Sequence, residues 1–433
     1  MQAQDIVTSW ANDAFRTLVP YPHERIPVNK NHVPYILVPV IPFITLAYLA
    51  RRPDTHLLRL LLLPIVFAAA IGTASHFVWE DPRFNVYNWC QGLLAEAICA
   101  KASSYAFHNE GMLRDDEIAP DVKKSTTPDG KPLSDSKPAN GTANGHRPDE
   151  FPGFWAKLHD ALALVFSMRG IGWRYGKGVY IPHDTRPLSR GLFLLATLKR
   201  LLLGFLALDL IESLLKLVPG VGSPYGSTIF FPSLRLPQRY LVSTSLHFAT
   251  GCALYAGFEM VYALLTLLAV GVLRDAPASW PPIMDAPFAS DSLHVFWARR
   301  WHQVLREVFF VFGGYAGRVA GGTLGLVLGT FVGSGLYHEC AAYGMGLGFD
   351  WRVPVFFALQ APLLIAERVW RRVTGRRVGG RWGMVWLYFC VVVLGQPLVD
   401  AWHKRGLAGA HMLPPAISPA RQILIPLVMS LRS

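Results

Sequence analysis

Long runs of apolar residues are the feature that most restricts how this chain can fold. A transmembrane helix needs roughly 20 consecutive, mainly apolar residues to cross a bilayer core of about 30 Å. Eight runs come close to that length, the third being less apolar than the others: 33–50, 57–79, 86–108, 191–217, 240–273, 308–338, 355–370 and 382–402. The sequence therefore predicts an all-α, polytopic integral membrane protein with about eight transmembrane helices.

The composition agrees with that prediction. Hydrophobic residues make up 52% of the 433 residues and charged residues 16%, whereas soluble domains carry about 25% charged residues. The net charge of +12 comes from Lys and Arg at the ends of apolar runs, without a nucleic-acid-binding motif. We therefore expect membrane lipids, and no nucleic acid, as partners. The five cysteines stand singly without metal-ligand spacing, which predicts buried thiols and no metal site.

Basic residues predict which loops lie on the same side of the membrane. Four basic loops fall on one side when the eight runs are threaded in order: Arg51 and Arg52, the stretch 157–190, Arg299 with Arg300 and Arg306, and the stretch 371–381. The positive-inside rule makes that side cytosolic. The polar N-terminus is then expected on the opposite side, and it does not resemble a signal peptide.

Polarity changes along the chain predict its organisation. We expect five parts: a polar N-terminal segment 1–32, three transmembrane helices in 33–108, a disordered loop 109–150, a basic amphipathic segment 151–190, and a transmembrane core 191–433. The loop lacks aromatic residues and cannot bury a core. It carries a glycosylation sequon at Asn140, which we expect to stay unmodified on the cytosolic side.

Two histidines near apolar runs carry the candidate chemistry, because ionisable groups at membrane depth are functional candidates by default. His338 ends the glycine-rich run 308–338, whose glycines permit close helix packing or a break between two half-helices. A neutral imidazole there could serve as a general base for an alcohol. The alternative is a core histidine that is hydrogen-bonded between helices. Glu339 should not orient His338, because adjacent side chains on a helix do not face each other.

His302 follows a cluster of basic and aromatic side chains. Arg299 and Arg300 suit phosphate recognition, and Trp297 and Trp301 could stack on an adenine, so these four residues are predicted to bind substrate. If 297–306 is helical, Arg299 and His302 share one face. The alternative is an ordinary belt of Arg and Trp at the bilayer interface.

Acidic residues inside the apolar runs allow a different class of function. Asp209, Glu212 and Glu259 could couple transport to ions, although hydrogen bonding between helices is the favoured interpretation. A transporter would also be expected to contain an internal repeat with matching broken helices. We see glycine breaks only in 308–338, which argues against a transporter.

Three motifs together resemble one enzyme family. The segments 280–288 (WPPIMDAPF) and 292–303 (SLHVFWARRWHQ), the segment 169–173 (RGIGW), and Tyr337-His338-Glu339 are similar to motifs of the wax synthase-like, fungal-type branch of the membrane-bound O-acyltransferases. The chain departs from the usual pattern at Ala298, where Gly is common, and at His294-Val295, where a charged or polar pair is common.

The resemblance implies transfer of an acyl group from acyl-CoA to a hydroxyl, without a covalent enzyme intermediate or a bound cofactor. His338 would be the general base and His302 the second polar position of the reaction chamber. We expect acetyl-CoA as co-substrate and a lipophilic alcohol, such as a terpenoid or other secondary metabolite, as acceptor. The alternatives are a long-chain wax ester synthase and, outside enzymes, a transporter. The expected location is the endoplasmic reticulum.

Overall fold

The computed structural model describes residues 2–117 and 153–431, and these residues are mainly helical. Within these two ranges the structure has fifteen α-helices: α1 Gln2–Leu18, α2 Val33–Ile36, α3 Val40–Ala50, α4 His56–His76, α5 Asn85–Phe107, α6 Gly153–Phe166, α7 Arg190–Lys216, α8 Leu236–Leu267, α9 Leu293–Val295, α10 Arg306–Phe309, α11 Tyr315–Tyr343, α12 Arg352–Thr374, α13 Gly380–Tyr388, α14 Gln396–Lys404 and α15 Ile425–Ser430. The predicted all-α class is confirmed. Asn140 and most of the predicted loop 109–150 lie outside the described residues.

Short irregular elements connect these helices. In the described ranges, the only strands are β1 Ile26–Pro27 and β2 Phe77–Val78, which pair in parallel with Ile26 opposite Phe77. π-Helical turns extend or join several helices: Leu268–Val272 after α8, Phe296–Arg300 after α9, Phe310–Gly314 between α10 and α11, Phe389–Val393 after α13, and Ala420–Leu424 before α15. π-Turns of this kind are frequent at functional sites.

Six helical segments of the described chain are long and apolar enough to cross a membrane: His56–His76, Arg190–Lys216, Leu236–Val272, Arg306–Tyr343, Arg352–Thr374 and Gly380–Lys404. The protein is therefore a multi-pass membrane protein, but the predicted count of eight is not confirmed. The run 33–50 forms only a short apolar helix, Pro34–Ala50. The run 86–108 forms α5, which buries the polar side chains of Asn88 and Lys101 inside the protein.

The segment Arg306–Tyr343 is a hairpin of two helical arms rather than one tilted helix. The chain leaves helical geometry at Gly321 (φ −145°, ψ 25°) and Gly322 (φ 57°, ψ −137°), and the second conformation is accessible essentially only to glycine. The glycines therefore serve both of the uses that the sequence allowed: the chain breaks at Gly321-Gly322, and other glycines of the run let the two arms pack closely.

The predicted basic loops lie on one face of the bundle, called the basic face below. Side-chain contacts join these loops in sequence. Arg51 pairs with Asp160 at 2.7 Å, Arg169 donates to the carbonyl of Pro282 at 2.8 Å, and the backbone N–H of Gly380 donates to Asp291 at 3.3 Å. Its identification as the cytosolic face stays a prediction.

Two acidic residues in α7 fix the C-terminal segment of the chain. Asp209 accepts a hydrogen bond from the backbone N–H of Ala420 at 2.8 Å, and Glu212 accepts one from Leu413 at 3.2 Å. Arg421 lies within ion-pair distance of both carboxylates. This supports structural hydrogen bonding over ion coupling for these two residues.

Candidate functional site

A cavity of about 570 Å³ lies inside the helical bundle. Its wall is almost entirely apolar and aromatic, as expected for a pocket that holds a lipophilic ligand. Four of the predicted site residues line it: Trp297, Trp301, His302 and His338. The structure therefore brings together two histidines that are 36 positions apart in the sequence.

The glycine hairpin explains this convergence. Its arms are antiparallel and touch through their backbones, because a Cβ atom on Gly313 would lie 2.1 Å from the carbonyl oxygen of Gly329. Residues just before the first arm therefore lie beside residues near the end of the second. Phe309, at the start of the hairpin, contacts His338 with ring centroids 6.1 Å apart. His302 reaches the same part of the cavity from the loop that precedes α10.

His338 is held by aromatic packing rather than by hydrogen bonds. Its ring stacks on Phe357, with centroids 4.7 Å apart and an interplanar angle of 15°. Its Nδ1 is buried and has no hydrogen-bond partner in the described part of the chain, so the hydrogen-bonded core histidine is not what is observed. Glu339 instead pairs with Arg405 at 2.6 Å and accepts from the N–H of Asp350. It does not orient His338, as expected.

His302 has a similar environment. Its ring lies 4.5 Å from the ring of Phe258, and its Nδ1 is also buried without a partner among the described residues. Burial lowers the pKa of His302 to about 4, so the ring is neutral at pH 7. Both histidines line the cavity, and we expect each to offer its Nε2 atom to a bound molecule.

The chain around His302 is not the regular helix considered for 297–306. A π-helical turn, Phe296–Arg300, ends at Trp301, which is extended (φ −74°, ψ 150°), so Arg299 and His302 do not share a helix face. Gln303 closes this loop by donating from Nε2 to the carbonyls of Trp297 at 2.9 Å and Trp301 at 3.0 Å. The extended residue directs His302 into the bundle.

The predicted arginine pair lies outside the cavity wall. Arg299 is exposed, with its guanidinium 5.8 Å from the ring centroid of Tyr180. Arg300 donates to the carbonyl of Ala286 at 3.2 Å. Arg306 does line the cavity, although the sequence indicated it only as part of a basic loop and not as a site residue.

The motif 169–173 supports the loop that carries the site. Arg169 is buried and donates to the carbonyls of Pro281 and Pro282, both at 2.8 Å, and to the hydroxyl of Tyr262 at 2.6 Å. Gly170 (φ 67°) also packs against the chain, since a Cβ there would lie 2.7 Å from the Cα of Gly176. The two motifs that the sequence analysis singled out are therefore in direct contact.

Sequence reasoning missed several residues of the site. Phe258 and Phe357, whose rings pack against the two histidines, lie in apolar runs where nothing distinguishes them from other core residues. Gln360, which accepts from the indole N–H of Trp297 at 3.2 Å, is a buried polar residue inside a span and could have been noticed. His247 could also have been noticed, because it is a third histidine that lines the cavity.

Comparisons with known proteins agree with the motifs. The model of the membrane bound O-acyl transferase family matches residues 280–359. An acetyltransferase of Hericium erinaceus, eriL, is 27% identical over 61% of this chain and 71% of its own length. Two proteins named O-mevalon transferase are also similar: macI of Penicillium terrestre, 27% identical over 54% of this chain, and yanI of Aspergillus niger, 30% identical over 49%.

These alignments are partial. The chain spans 56% of macI and 52% of yanI, about half of each protein. No solved structure matches the chain significantly. The matches do not distinguish the wax synthase-like branch, which stays a prediction.

Proposed function

Because the chain is an acyltransferase of the membrane-bound O-acyltransferase family, we propose that it esterifies a hydroxyl of a lipophilic acceptor from acyl-CoA, and that the reaction takes place where His302 and His338 face one cavity. The cavity carries this proposal, because two imidazoles in a mainly apolar chamber are suited to proton transfer on a lipophilic alcohol. Because this family consists of acyltransferases, the transporter alternative is no longer needed.

His338 acts as the general base in this mechanism. Its Nε2 accepts the proton of the acceptor hydroxyl while the oxygen attacks the thioester carbonyl. The C–S bond then breaks, and the leaving thiolate of CoA takes the proton back from His338. The products are the ester and free CoA, and the enzyme returns to its starting protonation state. Stacking on Phe357 holds the imidazole in place and leaves the lone pair of Nε2 free to accept the proton.

His302 stabilises the negative charge that develops on the carbonyl oxygen. A neutral imidazole donates one hydrogen bond, and such a donor is worth more in a dry, apolar site than in water. The lowered pKa of His302 keeps the ring neutral, so it can act as a hydrogen-bond donor without carrying a charge of its own.

CoA is too polar to approach through lipid, so it should bind at the basic face. Arg306 lines the cavity and approaches Gly178 of the basic segment, with Nη2 3.9 Å from the position of a Cβ there. It is therefore the cation best placed to meet the phosphates or the thioester end of the donor. Arg299 and Arg300 would contact the more distant part of CoA.

The identity of the acyl group and of the acceptor is the finer part of the proposal. Names of relatives include both an acetyltransferase and O-mevalon transferases. We propose a short acyl group, with acetyl-CoA as donor, and a terpenoid or similar secondary metabolite as acceptor. The endoplasmic reticulum membrane is the proposed location. Long-chain wax ester synthesis is the alternative and needs the same two histidines.

The test is ester formation by purified protein in detergent. The protein is given labelled acetyl-CoA or palmitoyl-CoA together with a sterol-like or a linear alcohol, and the His338→Ala variant is the control. Labelled acetyl ester that depends on His338 supports the proposal. Preferential palmitoylation of the linear alcohol would favour the wax ester alternative, and no ester with any pair would refute the proposed reaction.

A further inference from the structure

Two glycines in α8 line the cavity although no contact with the described residues requires a glycine at either position. A Cβ atom on Gly251 would have no heavy atom within 4 Å, and one on Gly257 would meet only Cδ2 of Leu208, at 3.9 Å. Neither residue has the positive φ that favours glycine. Glycine inside a helix lowers helix stability relative to alanine, so its presence at both positions lacks a structural reason.

Other glycines of the bundle are different. A Cβ on Gly92 would lie 2.7 Å from the Cα of Ala341, and one on Gly204 would lie 3.1 Å from the carbonyl oxygen of Ala256. Those glycines are required by close helix packing. At Gly251 and Gly257 the missing side chain leaves room in the cavity instead.

The position of Gly251 indicates which part of a substrate uses that room. Phe258, whose ring lies 4.5 Å from His302, is seven residues further along α8 on the same face. Seven helical residues span about 10 Å. The C-terminal end of α8 faces the basic face, where Arg190 donates to the carbonyl of Val270. Gly251 therefore bounds the part of the cavity beyond the histidines, away from the side where CoA would bind.

We propose that Gly251 widens this part of the cavity to hold the ring system of a bulky polycyclic alcohol. This rests on the proposed function, in which a short acyl group leaves the space beyond the histidines to the acceptor. A linear chain is one methylene wide and would not need a side chain to be missing, whereas fused rings would. Aromatic residues Phe248 and Tyr388, with ring centroids 6.5 Å apart, also line the cavity and offer flat surfaces to such rings.

The experiment compares Gly251→Leu with Gly72→Leu. Gly72 lies in α4, outside the cavity wall, and a Cβ there also meets nothing within 4 Å, so it is a matched control. Each protein is given acetyl-CoA with a tetracyclic sterol or with 1-hexadecanol. Gly251→Leu should lower kcat/KM for the sterol about tenfold or more and change the value for hexadecanol less than about threefold, since one pocket contact discriminates by roughly 10–200-fold. Gly72→Leu should resemble the unmodified protein.

Two results would overturn the proposal. One is an equal loss of kcat/KM for both alcohols. The other is an effect of Gly251→Leu on kcat/KM that depends on the chain length of the acyl-CoA when the acceptor is kept the same. The second result would mean that the space holds the acyl tail. Gly251→Ala adds only one methyl group and favours the helix, so it should fold even if the leucine variant does not. It should also lower kcat/KM for the sterol relative to hexadecanol.

Binding without turnover separates this proposal from the proposed reaction. The sterol alone should raise the Tm of the unmodified protein in detergent, and Gly251→Leu should abolish that rise while Gly72→Leu keeps it. If no ester forms but this pattern is seen, the reaction fails and the pocket assignment stands. If the sterol raises the Tm of all three proteins equally, the pocket assignment fails.

Discussion

Gly317 and Gly325 meet backbone to backbone across the hairpin, so that a Cβ atom on Gly317 would lie 2.1 Å from the carbonyl oxygen of Gly325. The same relationship holds one turn further for Gly313 and Gly329. Spacing of four residues in each arm produces a flat strip of backbone, the arrangement that lets helices pack closely in membranes. The two arms then hold the loop with His302 against the helix with His338.

Gly317→Ala should therefore destabilise the protein and reduce its activity together. Overpacking of this kind costs about 1–3 kcal/mol, and a displacement of about 1 Å at a reacting group can reduce the rate about 100-fold. Thermal unfolding in detergent and the esterification rate measure the two effects. Gly72→Ala, where the added methyl meets nothing within 4 Å, is the control: it should keep the activity unchanged and not lower the stability, because alanine favours a helix. An unaffected Gly317→Ala protein would mean that the arms are further apart than described.

His338→Ala should lose most turnover and keep acyl-CoA binding. Positioned proton transfer contributes about 10²–10⁴ in rate, so kcat should fall by that factor. The imidazole makes no hydrogen bond through its buried Nδ1, so its removal leaves no polar partner unsatisfied. Acyl-CoA binding by equilibrium dialysis and a normal elution profile in detergent are the controls. Near-normal turnover would remove His338 from the mechanism.

His302→Gln should change how stability depends on pH. The folded-state pKa of His302 is lowered from 6.5 to about 4, so the unfolded chain takes up this proton first as the pH falls. The contribution of neutral His302 is fully present above pH 6.5 and is lost as the pH falls towards 4. The Tm of the unmodified protein should therefore decrease more between pH 7.5 and pH 5 than that of the variant. Parallel decreases would contradict the lowered pKa.

Hydropathy predicted the helical class and most spans because burial in lipid depends on local composition. The helix α5 forms where hydropathy predicted a weaker span, and its crossing of the membrane stays a prediction. Lys101 in that helix donates to the carbonyls of Val165 and Ser167 inside the protein. The carbonyls that bind Lys101 belong to a distant part of the sequence, so the average hydropathy of neighbouring residues cannot reveal this contact.

Four of the six predicted site residues line the cavity, but the geometry that brings them together could not be predicted. The nine glycines of the run 308–338 suggested a break, and the equal spacing of Gly313, Gly317, Gly325 and Gly329 about Gly321-Gly322 was the signal that could have located it. The orientation of the His302 side chain depends on the extended backbone of Trp301 after a π-turn, and no residue pattern in the sequence indicated that turn. A regular helix over 297–306 would place Arg299 and His302 on one face, but the extended Trp301 separates them.

Arg169→Lys should loosen the loop 280–303 although it keeps the charge. A lysine cannot reproduce the two-pronged contact with the carbonyls of Pro281 and Pro282, and hydrogen bonds to charged groups contribute about 1.5–3 kcal/mol. Both thermal stability and kcat should fall. Arg83→Lys, at an exposed Arg–Asp pair, is the matched control and should change little. Lower stability with unchanged kcat would mean that the loop does not position the site.

Arg306→Gln should raise the KM for acyl-CoA more than Arg299→Gln does. Arg306 lines the cavity, whereas Arg299 is exposed on the basic face and screened by salt. We expect an increase in KM of about tenfold, equivalent to 1.36 kcal/mol, for Arg306→Gln. For Arg299→Gln we expect about threefold or less at physiological salt, with a larger effect at low salt. The KM for the alcohol should change little in both variants, because the acceptor arrives through lipid. If Arg299→Gln had the larger effect on acyl-CoA, or if the KM for the alcohol rose equally, the donor would not pass Arg306 on its way to the histidines.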